Sequence, residues 1–89
     1  MFDESYDREK SQWTKEVRGI DFVEARAAWK DPNVIEGPAN MKDGEARWLK
    51  IGRIGDRLWT VGFTYRNAGI RIFTVRPARK DEKDVYYGY

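Results

Sequence analysis

The chain contains neither cysteine nor histidine. Without thiols there is no disulfide framework and no thiolate metal site, which fits a reducing compartment. Without imidazole the commonest zinc ligand, the usual acid–base group near neutral pH and every Ser-His or Cys-His nucleophile pair are missing. No apolar run nears the roughly 20 residues that cross a bilayer. The opening Met1-Phe2-Asp3-Glu4-Ser5 lacks the basic and apolar regions of a signal peptide. The expectation is a cytoplasmic protein without membrane contact, metal or other cofactor.

What is present is aromatic and charged. Eighty-nine residues suffice for one hydrophobic core, so a single domain over 1–89 is expected. Four Trp, five Tyr and four Phe supply much of its apolar area. The net charge of +2 conceals an asymmetry. Residues 1–45 hold seven Lys/Arg against eleven Asp/Glu, net −4, whereas residues 46–89 hold ten against four, net +6. Seven of those ten basic residues are arginine, the side chain best shaped to grip phosphate through paired donors. An anionic partner is the first functional implication.

Along the chain, Phe2 to Tyr6 alternates like a short edge strand. Asp7 is a candidate cap for a helix through Val17, with Trp13 and Val17 four apart on one face, and Gly19 is its stop. Asp21 and Glu24 have capping-box spacing, with Ile20 as a hydrophobic staple. The helix they open carries Phe22, Ala25 and Trp29 on one stripe and ends at Asp31-Pro32. A brief Val34-Ile35 strand precedes a turn or loop over 37–44. Three β segments follow, at about Ala46–Arg53, Arg57–Arg66 and Ile70–Arg76, joined by short hairpin connections at Gly55-Asp56 and Asn67-Ala68-Gly69. A short helix over Arg79 to Tyr87 closes the chain.

Pairing Arg53 with Arg57 across a three-residue loop places Leu49, Ile51, Trp59, Val61, Phe63 and Tyr65 on one face. Trp48, Lys50, Thr60, Thr64 and Arg66 then share the other, a register preferred because it separates apolar from polar residues. In the third strand Ile70/Ile72 and Phe73/Val75 are both apolar pairs, as in a strand covered on both sides.

Gly52-Arg53-Ile54-Gly55 is a hairpin sequence, since neither Lys-Ser/Thr nor a helix follows it as a phosphate loop requires. Glu45, Glu82 and Asp84 are candidate bases, although such carboxylates are more often solvated surface charge. Lys50, Thr64, Arg66, Arg71, Thr74, Arg76, Arg79 and Tyr86 form a basic and hydroxyl-bearing set. RNA transesterification needs a base for the 2′-OH, positive charge for the phosphorane and a proton for the leaving oxygen, and Lys, Arg, Glu and Tyr meet those needs without histidine. A basic strand face is more often a plain binding surface. Trp48 and Tyr65 suit base stacking, with core packing or protein contact as the commoner fate.

Tyr6-Asp7 with Lys10, Gly19-Ile20-Asp21-Phe22 with Glu24-Ala25, and Asp31-Pro32 resemble the N-terminal half of BrnT toxins. Glu45, Arg47, Ile51-Gly52, Thr64 to Arg66 and Ile70-Arg71-Ile72-Phe73-Thr74-Val75-Arg76, with Ala78, Glu82 and Tyr86, resemble the C-terminal half. The resemblance implies an α+β, RelE-like fold: a compact antiparallel sheet with two N-terminal helices and a short C-terminal one. It implies an endoribonuclease toxin of a type II toxin–antitoxin module that inhibits translation and growth. The implied partner is a BrnA-like ribbon-helix-helix antitoxin, through which alone the protein reaches operator DNA. Carried over by position, Arg71, Arg76, Arg66, Glu82 and Tyr86 are the catalytic candidates. Lys10, Lys50, Thr74, Arg79 and Trp48 are the RNA-binding ones. Where the family often has Asn and then Lys-His-Gly, this chain has Thr14 and Val17-Arg18-Gly19. Arg18 acting electrostatically, reliance on other groups, and weak activity are the alternatives that this departure leaves. A weakly active antitoxin-binding transcriptional co-regulator is the rival function, and a generic RNA-binding module a third.

Overall fold

The Asp7 carboxylate accepts from the Lys10 backbone N–H and opens α1, Arg8–Arg18. Gly19 stops it in the left-handed region at φ 84°, where a side chain would be strained. Ser11 and Thr14 are its buried residues, while Trp13 and Val17 face outward. The inward face is thus small and polar, because α1 lies against backbone. Ser11 Oγ accepts from the Phe22 N–H at 3.0 Å, and the Arg18 guanidinium donates to the Val75 carbonyl at 2.7 Å.

Asp21 and Glu24 form a reciprocal capping box, each carboxylate accepting the other's backbone N–H. The segment that follows, Glu24–Lys30, is a 3-10 helix ended at Asp31, and it buries Ala25 and Ala28. The structure is a computed structural model and describes residues 1–67 and 69–88. The expected turn at Asn67-Ala68-Gly69 and the expected domain limit at Tyr89 each include a residue outside that set.

Four antiparallel strands follow in the order β1-β2-β3-β4: Ile35–Lys42, Glu45–Ile54, Arg57–Arg66 and Gly69–Pro77. The stretch 37–44, expected as a loop, is mostly strand β1. Asp43 and Gly44 supply the two left-handed positions, φ 52° and 77°, of a tight hairpin turn. Pro38 is tolerated because β1 is an edge. The expected strand Phe2 to Tyr6 reduces to one parallel bridge, Phe2 to Ile70, on the outer edge of β4.

The register of the β2–β3 hairpin corrects the expectation. Ile54 pairs with Arg57 across the two-residue turn Gly55-Asp56, not Arg53 with Arg57. Gly55 at φ 65° is the residue that permits this turn. Trp48 and Lys50 therefore share a face with Phe63 and Val61, and Leu49 and Ile51 one with Gly62 and Thr60. Separating polar from apolar was a poor guide because both faces are covered, and Thr60 and Thr64 are fully buried.

On the first face, Trp59, Val61, Phe63, Ile70, Ile72 and Val75 pack with Ile20, Phe22, Ala25 and Ala28. On the second, Ile51, Leu58 and Ala78 form a smaller cluster under Tyr86 of α2, Lys80–Tyr87. The register shifts beside Gly62, so that Gly62 pairs with Thr74 and Phe63 with Ile72. Phe73 is the extra residue of this bulge, which lets both Ile72 and Val75 reach the core while Phe73 turns to the opposite face. Among the described residues the result is an α+β arrangement of four antiparallel strands and three helical segments.

Candidate active site

The bulge lays the Phe73 ring over Gly62. A Cβ built at Gly62 would sit 2.7 Å from Phe73 Cζ and from Thr74 Cγ2, so glycine leaves the room that the ring occupies. The guanidinium of Arg47, from β2, stands 4.3 Å from the Phe73 ring centroid, and the ammonium of Lys10, from α1, stands 5.9 Å from it. Two strands and a helix thus bring two cations to one aromatic platform.

Charge at this point is concentrated and little neutralised. Partial burial of its ammonium end holds Lys10 below the usual lysine range, and repulsion from Arg47, Arg18 and Lys42 adds to this, against an opposing pull from Asp7. Arg47 Nε and Thr64 Oγ1 are buried with no hydrogen-bond partner. Unsatisfied buried donors are rare and costly, and they collect where a ligand completes them. Arg18 enters the same neighbourhood, anchored on Val75 and 5.4 Å from the Trp13 ring centroid. Thr14, at the other departure from the family pattern, donates to the Lys10 carbonyl at 2.7 Å and is fully buried.

The matching family model is that of BrnT, the ribonuclease toxin of a type II toxin–antitoxin system, and it covers residues 6–82. The chain belongs to the BrnT family. Among curated proteins no relative matches it. The BrnT match takes in Lys10, Arg18, Arg47, Thr64 and Phe73 and stops at Glu82, short of Tyr86. No helix among the described residues is long and apolar enough to cross a membrane.

The residues expected to form the BrnT site are only partly brought together. Lys10 joins the Phe73 cluster, and Thr74 lies beside it, opposite Gly62. Arg71 pairs across the sheet with Thr64 and donates from Nε to the Ser5 carbonyl at 3.1 Å. Arg66, at the end of β3, forms an exposed ion pair with Glu45 at 3.2 Å. Arg76 is held by Glu82 in a bidentate pair of 2.7 and 2.8 Å. Glu82 also accepts from the Thr60 hydroxyl and the Arg79 N–H. The Arg76 guanidinium beside it, with those two donors, drives the Glu82 carboxyl down to about 2 against the opposing effect of burial. So poor a base, with its lone pairs engaged, anchors α2 to the sheet.

Tyr86 stands elsewhere. Its hydroxyl donates to Asp31 at 2.8 Å, and that carboxylate raises its pKa. Lys50 and Trp48 lie on the first face. Lys50 pairs with Glu36 at 2.8 Å and sits over the Trp29 ring, and Trp48 meets Tyr65 edge-on at 6.3 Å. Arg79 is the exposed cap residue of α2.

Arg47 and Phe73 were not among the expected site residues. Alternation along β2 from Leu49, which pairs with Gly62, puts Arg47 on the second face, but only in the two-residue-turn register. The signal for that register was Gly55 directly before Asp56. Among the described residues no group of three or more carboxylates gathers where a metal ion would sit.

Proposed function

We propose that this BrnT protein is an endoribonuclease that cleaves RNA by attack of the 2′-oxygen on its neighbouring phosphate, with the Phe73 cluster as the reacting site. The observation that carries the proposal is the buried, unpartnered Arg47 Nε beside a lysine of lowered pKa. Lys10 in its neutral form takes the 2′-OH proton. The 2′-oxygen bonds to phosphorus, the bond to the 5′-oxygen breaks, and that oxygen leaves with a proton from water. The products are a 2′,3′-cyclic phosphate and a 5′-OH end. Arg47 and Arg18 face the charge that builds on the non-bridging oxygens, and Phe73 keeps the Arg47 guanidinium flat and in place. Thr64 and Thr74 offer hydroxyls to the same phosphate, and Arg71 and Arg66 extend the positive face along the strand. Arg76 and Glu82 hold α2 and act through position alone. In this reading cations of the chain itself supply the charge that the phosphorane needs, and the chemistry is metal-independent.

A type II toxin works against a protein antitoxin. In this reading that partner is a BrnA-like ribbon-helix-helix protein, which silences the enzyme by covering the cluster with an acidic or aromatic segment. RNA cleavage by the free toxin inhibits translation and growth, and the fold is of the RelE kind. Expression of Lys10→Ala without antitoxin tests the assignment. Loss of growth arrest with the variant folded supports it, and undiminished arrest rejects it.

A further inference from the structure

A second cationic recess lies at the far end of β3. The Gly55-Asp56 turn, the end of β4 and α2 enclose a cavity of about 410 Å³. Arg53, Arg57 and Lys83 line it against a single carboxylate, Asp56, with Leu58 and Ala78 among its apolar walls. Arg53 is oriented by the Asp56 carbonyl and the Tyr87 hydroxyl, and the nearby Asp31 carboxylate acts on it through space without forming an ion pair. Among the described residues neither the Arg57 guanidinium nor the Lys83 ammonium has a hydrogen-bond or carboxylate partner, and Arg57 is steadied over the Trp59 ring at 5.0 Å. Three basic residues around one recess outweigh its carboxylate, and its volume admits a phosphate group with room for the chain attached to it.

We infer that this recess is a phosphate-binding subsite that takes a non-reacting phosphate of the RNA. Leu58 and Gly62 are four residues apart on β3, about 13 Å at a strand's rise, so the recess and the Phe73 cluster are separate places on one face. A few nucleotides of single strand span that gap. Gly52 lies within β2 and Gly55 makes the turn, so neither belongs to a phosphate loop and the donors are side chains that the hairpin and α2 present. The inference rests on the nuclease reading for its ligand source but not for the phosphate chemistry itself.

Inorganic phosphate titrated into the whole protein, followed by amide resonances, tests that chemistry. Saturable shifts confined to the recess, at Arg53, residues 55–58, Ala78 and α2 around Lys83, and absent in Arg57→Ala/Lys83→Ala, support the inference. Shifts that are scattered, or that survive in the variant, overturn it. Both side chains are on the surface, so the variant folds. With an RNA substrate the double variant should raise KM about tenfold with kcat unchanged. The slope of log affinity against log salt should fall by about 0.7 for each phosphate that the variant no longer engages. Phosphate binding together with an unchanged KM would overturn RNA as the source and leave a free phosphate compound. If the wild-type protein binds phosphate here yet cleaves no RNA, the nuclease reading fails and the phosphate site stands.

Discussion

Arg47 rests its guanidinium on the Phe73 ring, 4.3 Å from the centroid, with its Nε buried and unpaired. The contact depends on a β-bulge in one strand, a glycine in the next and a side chain from a third. It sets a planar cation, weakly hydrated and fixed in direction, beside a lysine that burial and like charge have made easier to deprotonate.

In the proposed mechanism the pH dependence of cleavage follows from Lys10. A base whose pKa lies below the usual lysine range is active when neutral, so kcat should rise with pH through that pKa and then level off. Arg18→Gln removes one repelling charge and should move the rising limb to higher pH. Lys10→Arg, which keeps the charge and cannot act as a base, should lose the limb altogether. A single-turnover pH–rate profile of the three proteins checks this.

The Arg76–Glu82 pair should govern stability and not rate. The folded carboxyl, at about 2, lies below its ordinary 4.5, so its stabilisation is fully present above about pH 4.5 and is lost as pH falls toward 2. Glu82→Gln should cost about 2 kcal/mol near neutral pH, a gap that closes in acid. Urea midpoints from pH 2 to 7 read it directly. Below its own melting range the variant should cleave within about threefold of the wild-type rate, under 1 kcal/mol of barrier. A hundredfold loss in folded protein would return Arg76 and Glu82 to the chemistry.

Gly62→Ala should disturb the platform itself. The added methyl meets Phe73 and Thr74 at 2.7 Å, and overpacking of this kind costs about 1–3 kcal/mol. For a domain of this size each kcal/mol lowers Tm by about 4–8 °C. Because the displaced ring carries Arg47, cleavage should also fall at temperatures where the variant is fully folded. Thermal melts paired with rates separate the two effects.

Much of the helical framework was legible in the sequence because its determinants are local. The Asp7 cap, the Gly19 stop and the Asp21/Glu24 capping box each act within one turn of chain. The sheet was less so. Strand β1 was hidden by its Gly, Pro and Asn content, although Asp43-Gly44 carried the hairpin signal. The β2–β3 register departs from the expected one because hydrophobic separation is a guide only when one face meets water, and here α2 covers the other. That slip moved Lys50 and Trp48 to the wrong face and kept Arg47 from being placed with Thr64 on the second one. The bulge at Phe73 likewise explains why β4 showed two apolar parities at once. Lys10 was named from the family pattern, and Thr74 both from that pattern and from the hydroxyl-bearing residues of the basic set. Thr74 adjoins Phe73 in the chain, but the meeting of Lys10 with Phe73 is tertiary, and no local spacing encodes it.

The most direct measurement is the rate and product chemistry of RNA cleavage by purified Arg47→Ala and wild-type protein in the presence of EDTA. Wild-type cleavage should leave 2′,3′-cyclic phosphate and 5′-OH ends, and the variant should be slowed on the order of a hundredfold, about 3 kcal/mol of barrier. Wild-type activity that vanishes with EDTA, or a folded Arg47→Ala protein that cleaves at the wild-type rate, would contradict the proposed mechanism.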